Sequence, residues 1–497
     1  EGGGRWRRGW RACSSRPCCD AWTGRFAVTD LARPGTTIDA LSLDGGGTIQ
    51  PPEGGEAGRF TADLAYGAQG LAFDSPGLEE ALGADLAGEL SLERPQGGGP
   101  VRVERLTLTG PGVEATAQGT LAATAEGFVV DSTLDLLAQD LGRFATLAGL
   151  DLGGSADLTV TSSVRPLDGI FDVALDGTTS DLRLGIAQLD PLLAGAGTVA
   201  VEAARDEGGT RVEALDVSTP AVSLTGDADV TSGASRARLA LDVADLGLSL
   251  PSLPGPAAIT LDATRDSVGL VTLDADATLP GATVTLEASQ PGPTEGAEGE
   301  PVRAPITLAL QAAVEELSAF APLLAEYAPT LPVAPSGGAD LSVAGTAAPD
   351  ASTFDLAVSA ETRDLALGVE RLDPLLAGAG SLSTRAVRTG PLDLAVESLR
   401  VDTDLLDGTV TASLAGGAAE ADVDLALSDV APLLDGLSGP ATLRGTASRT
   451  PEGATDLDLT AALPNGEARV DGLLAPPAEV DPPAVSVPQG VVDGTAL

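Results

Sequence analysis

Between about Arg25 and Leu474, apolar residues alternate with Asp, Thr, Ser or Arg. This is the period of an extended strand with one apolar and one polar face. Ala156, Leu158 and Val160 alternate with Asp157 and Thr159; Val222 and Leu224 lead to Ala228 and Val230; Ala257, Ile259, Leu261 and Ala263 form a further row. Val271, Leu273, Ala275, Ala277 and Leu279 run into the turn Pro280-Gly281 and return as Ala282, Val284, Leu286 and Ala288, which predicts a hairpin. Gly, Pro and Asp-Gly signals punctuate the strands about every ten residues. Short Leu-rich segments predict short helices packed on the sheet edge at residues 140–149, 189–195, 315–328, 372–378 and 429–437. The expected fold is all-β: an elongated repetitive sheet curled into a taco-like trough or solenoid, with short helices between units.

A longer repeat overlies this alternation. Phe171 to Gly197, FDVALDGTTSDLRLGIAQLDPLLAGAG, returns without a gap as Phe354 to Gly380, FDLAVSAETRDLALGVERLDPLLAGAG, at an offset of 183 residues with 17 of 27 positions identical. Self-similarity of this kind predicts stacked units and an extended working surface rather than a single pocket. The expected divisions are an atypical, disordered end (1–25), a first β-repeat region (26–136), repeat unit A (137–289), a Pro/Gly/Glu-rich loop (290–302), repeat unit B with its following strands (303–474) and a Pro-rich linker or truncated end (475–497).

Composition narrows the chemistry. Hydrophobic residues make up 43% of the chain but aromatics only 3%, so the apolar face is a smooth surface of Leu, Val and Ala, suited to stacking against itself or to facing a ligand that slides. The formal net charge is −44 and every basic residue is Arg, which excludes a basic stripe for phosphate backbones and argues against nucleic-acid binding. With no His and no Lys, and with only Cys13, Cys18 and Cys19 as thiols, most general-base, Schiff-base and metal arrangements are ruled out. The glycine clusters at Asp44 to Gly47 and Gly153-Gly154 lack the helix and Lys of a phosphate loop. Abundant carboxylates such as Asp422 and Asp424 alternate with Val423 and Leu425, as a solvated outer face would. No enzyme, metal or cofactor is expected. The chain has no Met and no run of 18 apolar residues, and is expected to be a fragment or processed product.

At the repeated LDPLLAGAG, its preceding SDLRLG or RDLALG strand and the upstream DLGRFATLAGLDLGGSADLTVTSSV, the chain resembles the TamB family of the AsmA-like superfamily, the translocation and assembly module proteins of Gram-negative envelopes. The resemblance implies a periplasmic body anchored to the inner membrane by an amino-terminal helix. It also implies a long concave sheet with an apolar interior that carries phospholipid toward the outer membrane. Assembly of outer-membrane proteins and autotransporters with a TamA-like barrel partner is implied too, through a region missing from this sequence. Roughly 25 strands at about 4.8 Å spacing would extend on the order of 120 Å. The candidate trough lining is Leu158, Val160, Val222, Leu224, Ile259, Leu261, Val271, Leu273, Val284, Leu286, Leu365 and Leu367. The rival expectation is an extracellular acidic solenoid or adhesin that closes its apolar face and binds calcium.

Overall fold

The computed structural model describes residues 5–12, 20–52, 58–125, 127–295, 301–323, 335–390, 393–434 and 436–474. The expected linker 475–497 lies outside these. The chain divides into two compact units, Glu1–Leu331 and Pro332–Leu497. The first begins with β1 (Arg5–Ala12), β2 (Asp20–Arg33), β3 (Thr36–Gln50), β4 (Arg59–Gln69), the short β5 (Ala72–Phe73), β6 (Leu86–Pro95), β7 (Val101–Gly110), β8 (Val113–Thr124) and β9 (Gly127–Ala138). It continues through β10 (Gly153–Arg165), β11 (Ile170–Arg183), β12 (Ala196–Arg205), β13 (Gly209–Ser218), β14 (Val222–Thr231), β15 (Ser235–Val243), β16 (Ala257–Arg265), β17 (Val271–Leu279) and β18 (Ala282–Gln290). A separate hairpin of β19 (Thr294–Glu295) and β20 (Pro301–Val302) fills the expected loop, and β21 (Ile306–Val314) pairs back onto β18. The second unit holds β22 (Ser336–Ala347), β23 (Phe354–Ala366), β24 (Ala379–Gly390), β25 (Asp393–Thr403), β26 (Leu406–Ala415), β27 (Ala418–Leu427), β28 (Ala441–Arg449), β29 (Thr455–Leu463) and β30 (Gly466–Leu474).

Strand makes up 66% of the residues and helix 8%, so the fold is all-β, as the alternation predicts. Every described pairing is antiparallel. Among the described pairings β1 meets β2 and β21 meets β18, and the sheet is not closed, so it forms an open trough rather than a barrel. The strong contacts of each strand are with its ladder neighbours, the nearest-neighbour economy of a repeat protein. Within the end expected to be disordered, Arg5–Ala12 pairs along its whole length with β2, giving partners to backbone groups that an edge strand would leave open.

The 27-residue repeat is part of a larger one. The nine strands β10 to β18 return as β22 to β30, each starting 183 or 184 residues later. The backbone detail returns with them. Asp181 and Asp364 both take a left-handed conformation, at φ 50° and 49°, which the short polar Asp tolerates. The Asp181 carboxylate accepts from the Gly195 N–H at 3.0 Å, and that of Asp190 from the Leu184 N–H at 2.8 Å. In the second copy Asp364 accepts from Gly378 and Asp373 from Leu367 at the same distances. The Thr219 hydroxyl donates to the Leu192 carbonyl at 2.6 Å, and that of Thr403 to Leu375 at 2.7 Å. The conspicuous LDPLLAG motif is therefore a chain-reversing cap, and its acids are spent on backbone N–H groups.

Because consecutive strands are antiparallel, alternate connections share one margin of the sheet. In the first unit the helical turns Pro76–Leu82, residues 141–148, Asp190–Leu193 and Leu246–Leu248 all occupy connections of one parity, while the intervening connections at the other margin carry no helix among the described residues. Asp373–Leu376 and the turn at 430–434 share one margin in the second unit in the same way. That last segment was expected as a helix and is a turn instead. The Asp429 carboxylate accepts from the Ala431 and Gly439 N–H groups, folding the chain back before a helix can propagate.

The buried core follows the capped margin. Leu192 packs with Val222, Val243 and Ala257, flanked by Leu193, Leu241, Leu246 and Leu279. Val113, Ala138, Ala156 and Ala282, at the corresponding strand ends, are also buried. Replacing Leu192 by Ala should cost about 2–5 kcal/mol, whereas Leu261→Ala on the half-exposed part of the same face should cost less; denaturant unfolding of the two variants checks the order. Hydrogen bonds from Gly439, Ala431 and Val430 hold the Asp429 carboxyl below its ordinary pKa. The stability it contributes is present above its unfolded pKa of about 3.9 and is lost as pH falls through the lower folded value. Asp429→Asn should therefore lower the melting temperature at pH 7 and flatten its fall on acidification, as thermal scans from pH 7 to pH 3 will read.

Candidate functional site

The pairing registers assign each strand residue to a face. Opposed residues share a face, so one row on the first unit runs Leu64, Leu90, Leu106, Ala117, Leu134, Val160, Leu175, Val201, Leu215, Gly226, Leu239, Leu261, Ala275, Leu286 and Leu310, from β4 to β21. In the second unit Val343 and Val358 begin the equivalent row, and Leu399, Val410, Val423, Gly445, Leu459 and Val470 continue it. These rows lie on the inner, apolar face.

Away from the caps this face is half-shielded rather than buried. Leu239, Ile259 and Val271 keep 39%, 38% and 40% of their surface, far above what a second layer of sheet or helix would leave. Of the twelve residues expected to line a trough, Leu158, Val160, Leu224, Ile259, Leu261, Val271, Leu273, Val284 and Leu286 are brought together on it. Val222 shares the face but is sealed in the cap core. Leu365 and Leu367 fall elsewhere. The left-handed turn at Asp364 ends the alternation before Leu365, which is 7% exposed, and Leu367 lies beyond the end of β23 with its N–H on Asp373.

Charge is segregated between the faces. From β6 to β18, and through β22 to β30, no Asp or Glu occupies an inward register position among the described pairings. The acids line the outer face, where they meet arginines. Arg236 and Arg238 reach Asp262 at 2.7 and 3.2 Å, Arg363 reaches Asp340 at 2.6 Å, and Arg444 reaches Asp424 at 2.8 Å. Arg385 binds Asp355 through two nitrogens at 2.8 and 2.5 Å, holding that carboxyl below its usual range. Exposed pairs of this kind are screened by water and add little to stability.

One feature escaped the sequence reading. Val-Glu-x-Leu occurs five times, and at the three occurrences that lie within strands, 103–106, 212–215 and 396–399, the pairing register slips by a bulge that carries the Glu, whereas 314–317 and 369–372 lie at strand ends or in loops. Beside each bulge the outer face is dented. The concavity at Glu104, lined also by Gln118, Asp131 and Thr161, measures about 730 Å³, and that at Glu213, lined by Asp227, Arg238 and Asp262, about 600 Å³. A third, of about 510 Å³, lies at Glu397, which Arg385 meets at 3.2 Å. The outer-face acids there are dispersed: among the described residues no group of three or more His, Cys, Asp or Glu is placed to hold a metal ion. No helix of the described residues is long and apolar enough to cross a membrane.

No family model matches the chain, and no characterised protein matches it by sequence.

The inner face carries one polar misfit. Thr384 stands opposite Val358 where Val201 stands opposite Leu175 in the first copy, and its hydroxyl oxygen is buried without a hydrogen-bond partner. Thr384→Val should raise stability by about 1 kcal/mol, the cost of an unsatisfied buried hydroxyl, as denaturant titration will measure.

Proposed function

We propose that the inner face is a working surface that shields the acyl chains of phospholipid, in a non-enzymatic envelope bridge of the TamB type. The observation that supports this most directly is the acid-free apolar face, continuous in register across the strands of a unit and half-exposed over most of its width. A monomer rarely leaves an aliphatic surface of that extent uncovered without a use for it. Covering acyl methylenes gains up to about 0.8 kcal/mol each, and the smoothness of a Leu, Val and Ala surface makes neighbouring positions along a row nearly equal in energy. A lipid is then held across the strands and passes from one strand to the next without a deep trap. In this reading the protein works in the periplasm, and an outer-membrane barrel partner and the assembly of outer-membrane proteins belong to the complete system.

The protein should therefore leave a Gram-negative periplasm, purified without detergent, carrying phospholipid detectable by mass spectrometry at one molecule per chain or more, against an unrelated acidic β-protein as baseline. Leu158→Asp with Leu273→Asp should reduce that lipid several-fold while far-ultraviolet circular dichroism stays that of the parent. Lipid at the baseline in the parent protein would sink the proposal.

A further inference from the structure

The inner face is free of acids but not of charge. Its regular register positions from β6 to β18 and from β22 to β30 include five arginines: Arg94, Arg205, Arg265, Arg388 and Arg449. Each stands at the end of its strand (β6, β12, β16, β24 and β28) remote from the caps, as the last inward residue before the loop. The placement belongs to the repeat: Arg205 and Arg388 are equivalent, as are Arg265 and Arg449. Three of the five face an aromatic ring across the ladder, with Arg94 opposite Phe60, Arg205 opposite Phe171 and Arg388 opposite Phe354.

Ion pairing among the described residues does not reach the inner face, although outward arginines such as Arg102, Arg105, Arg165 and Arg183 form no ion pair either. The ion pairs among the described residues involve outward arginines, whereas none of the five forms one. Arg388 donates to the Gly390 carbonyl at 3.2 Å. In a chain with 72 acidic residues, guanidinium groups at the mouth of an apolar surface with no ion-pair partner among the described residues can take an anion from outside. The dimensions fit an amphiphile. From Arg205 to Gly197 along β12 is about 26 Å at 3.3 Å per residue, room for the roughly 15 Å of hydrocarbon in one bilayer leaflet. Arg205 and Arg265 stand four strands apart, about 19 Å along the ladder of the first unit.

We propose that the uncapped margin of each unit is a comb of headgroup sites, in which each inward arginine binds the phosphate of an anionic phospholipid whose acyl chains lie across the sheet toward the caps. The inference rests on the lipid-shielding reading and adds to it the charge class and orientation of the cargo. The guanidinium fork matches two phosphate oxygens, and the paired Phe covers the first methylenes below the headgroup.

The test offers the delipidated full chain vesicles of phosphatidylcholine and phosphatidylglycerol in equal amounts and weighs the bound lipid by mass spectrometry. The parent should enrich phosphatidylglycerol about threefold, as suits exposed charge pairs, against the repulsion expected from its own net charge of −44. Replacing all five arginines by Gln should abolish the preference while total bound lipid stays within twofold, and replacing all five by Lys should keep most of it. Arg236→Gln with Arg238→Gln, on the outer face, should change nothing. Lipid bound by the parent without preference, or a preference that survives the five Gln substitutions, would overturn the comb and leave the shielding reading intact. No lipid bound by the parent from either vesicle component would instead remove the shielding reading itself.

Discussion

A single sheet has two faces and, in each unit of this chain, only one margin at which helical caps fold over it. That constraint organises everything else. Apolar side chains are removed from water where Leu192 and its neighbours close over the strand ends, while the middle of the inner face is shielded only by the curl of the sheet and by adjacent side chains. Stability therefore accumulates step by step, from ladder hydrogen bonds, from cross-strand pairs worth about 0.2–1 kcal/mol each and from the cap cores. No central core exists among the described residues to dominate the sum, so each strand is stable to the extent that its two neighbours are.

The distribution of charge follows from the same constraint. An inward carboxylate would face half-shielded hydrocarbon with no cation beside it, and the desolvation cost keeps such positions apolar. The acids collect outside, where Arg385 can engage Asp355 and Glu397 together and where like charge discourages sheets of separate molecules from stacking. The inward arginines break this rule only at the margin remote from the caps, where a long side chain reaches water while its methylenes stay on the sheet.

Most of the strands were legible because a period of two survives any amount of divergence: Leu158 and Val160, or Leu273 and Ala275, announce their face without reference to partners. What alternation cannot carry is the point at which the backbone stops obeying it. Leu365 and Leu367 continue the apolar rhythm of RDLALG on paper, yet the left-handed Asp364 breaks the alternation within β23 just before Leu365, and Leu367 follows the strand's end. The three Val-Glu-x-Leu bulges shift the register in the same silent way, since a bulge adds a residue without changing composition. The full nine-strand repeat was hidden for another reason. Outside the caps, any aliphatic residue satisfies an inward position and any polar one an outward position, so identity decays while geometry persists. The caps kept theirs because Asp181, Asp190 and Gly195 each answer a specific backbone demand.

The bulges also explain how a repetitive strand pattern gives a curved surface instead of a flat one. A bulge bends its strand and increases the local twist, and in all three occurrences it falls in the strand that follows a capped one, β7, β13 and β25. Curvature is thereby delivered in repeated increments rather than at one corner, which leaves the rows of Leu and Val unbroken on the inner side and places the dents on the outer side. For a ligand on the inner face the consequence is near-uniformity, because each increment presents the same aliphatic lining between the same two margins. A surface built for one tightly held molecule would instead need a place where the pattern fails inward, and away from the arginine margin such departures are small, as at the Ser132–Ser162 hydroxyl pair and the unpartnered Thr384 hydroxyl.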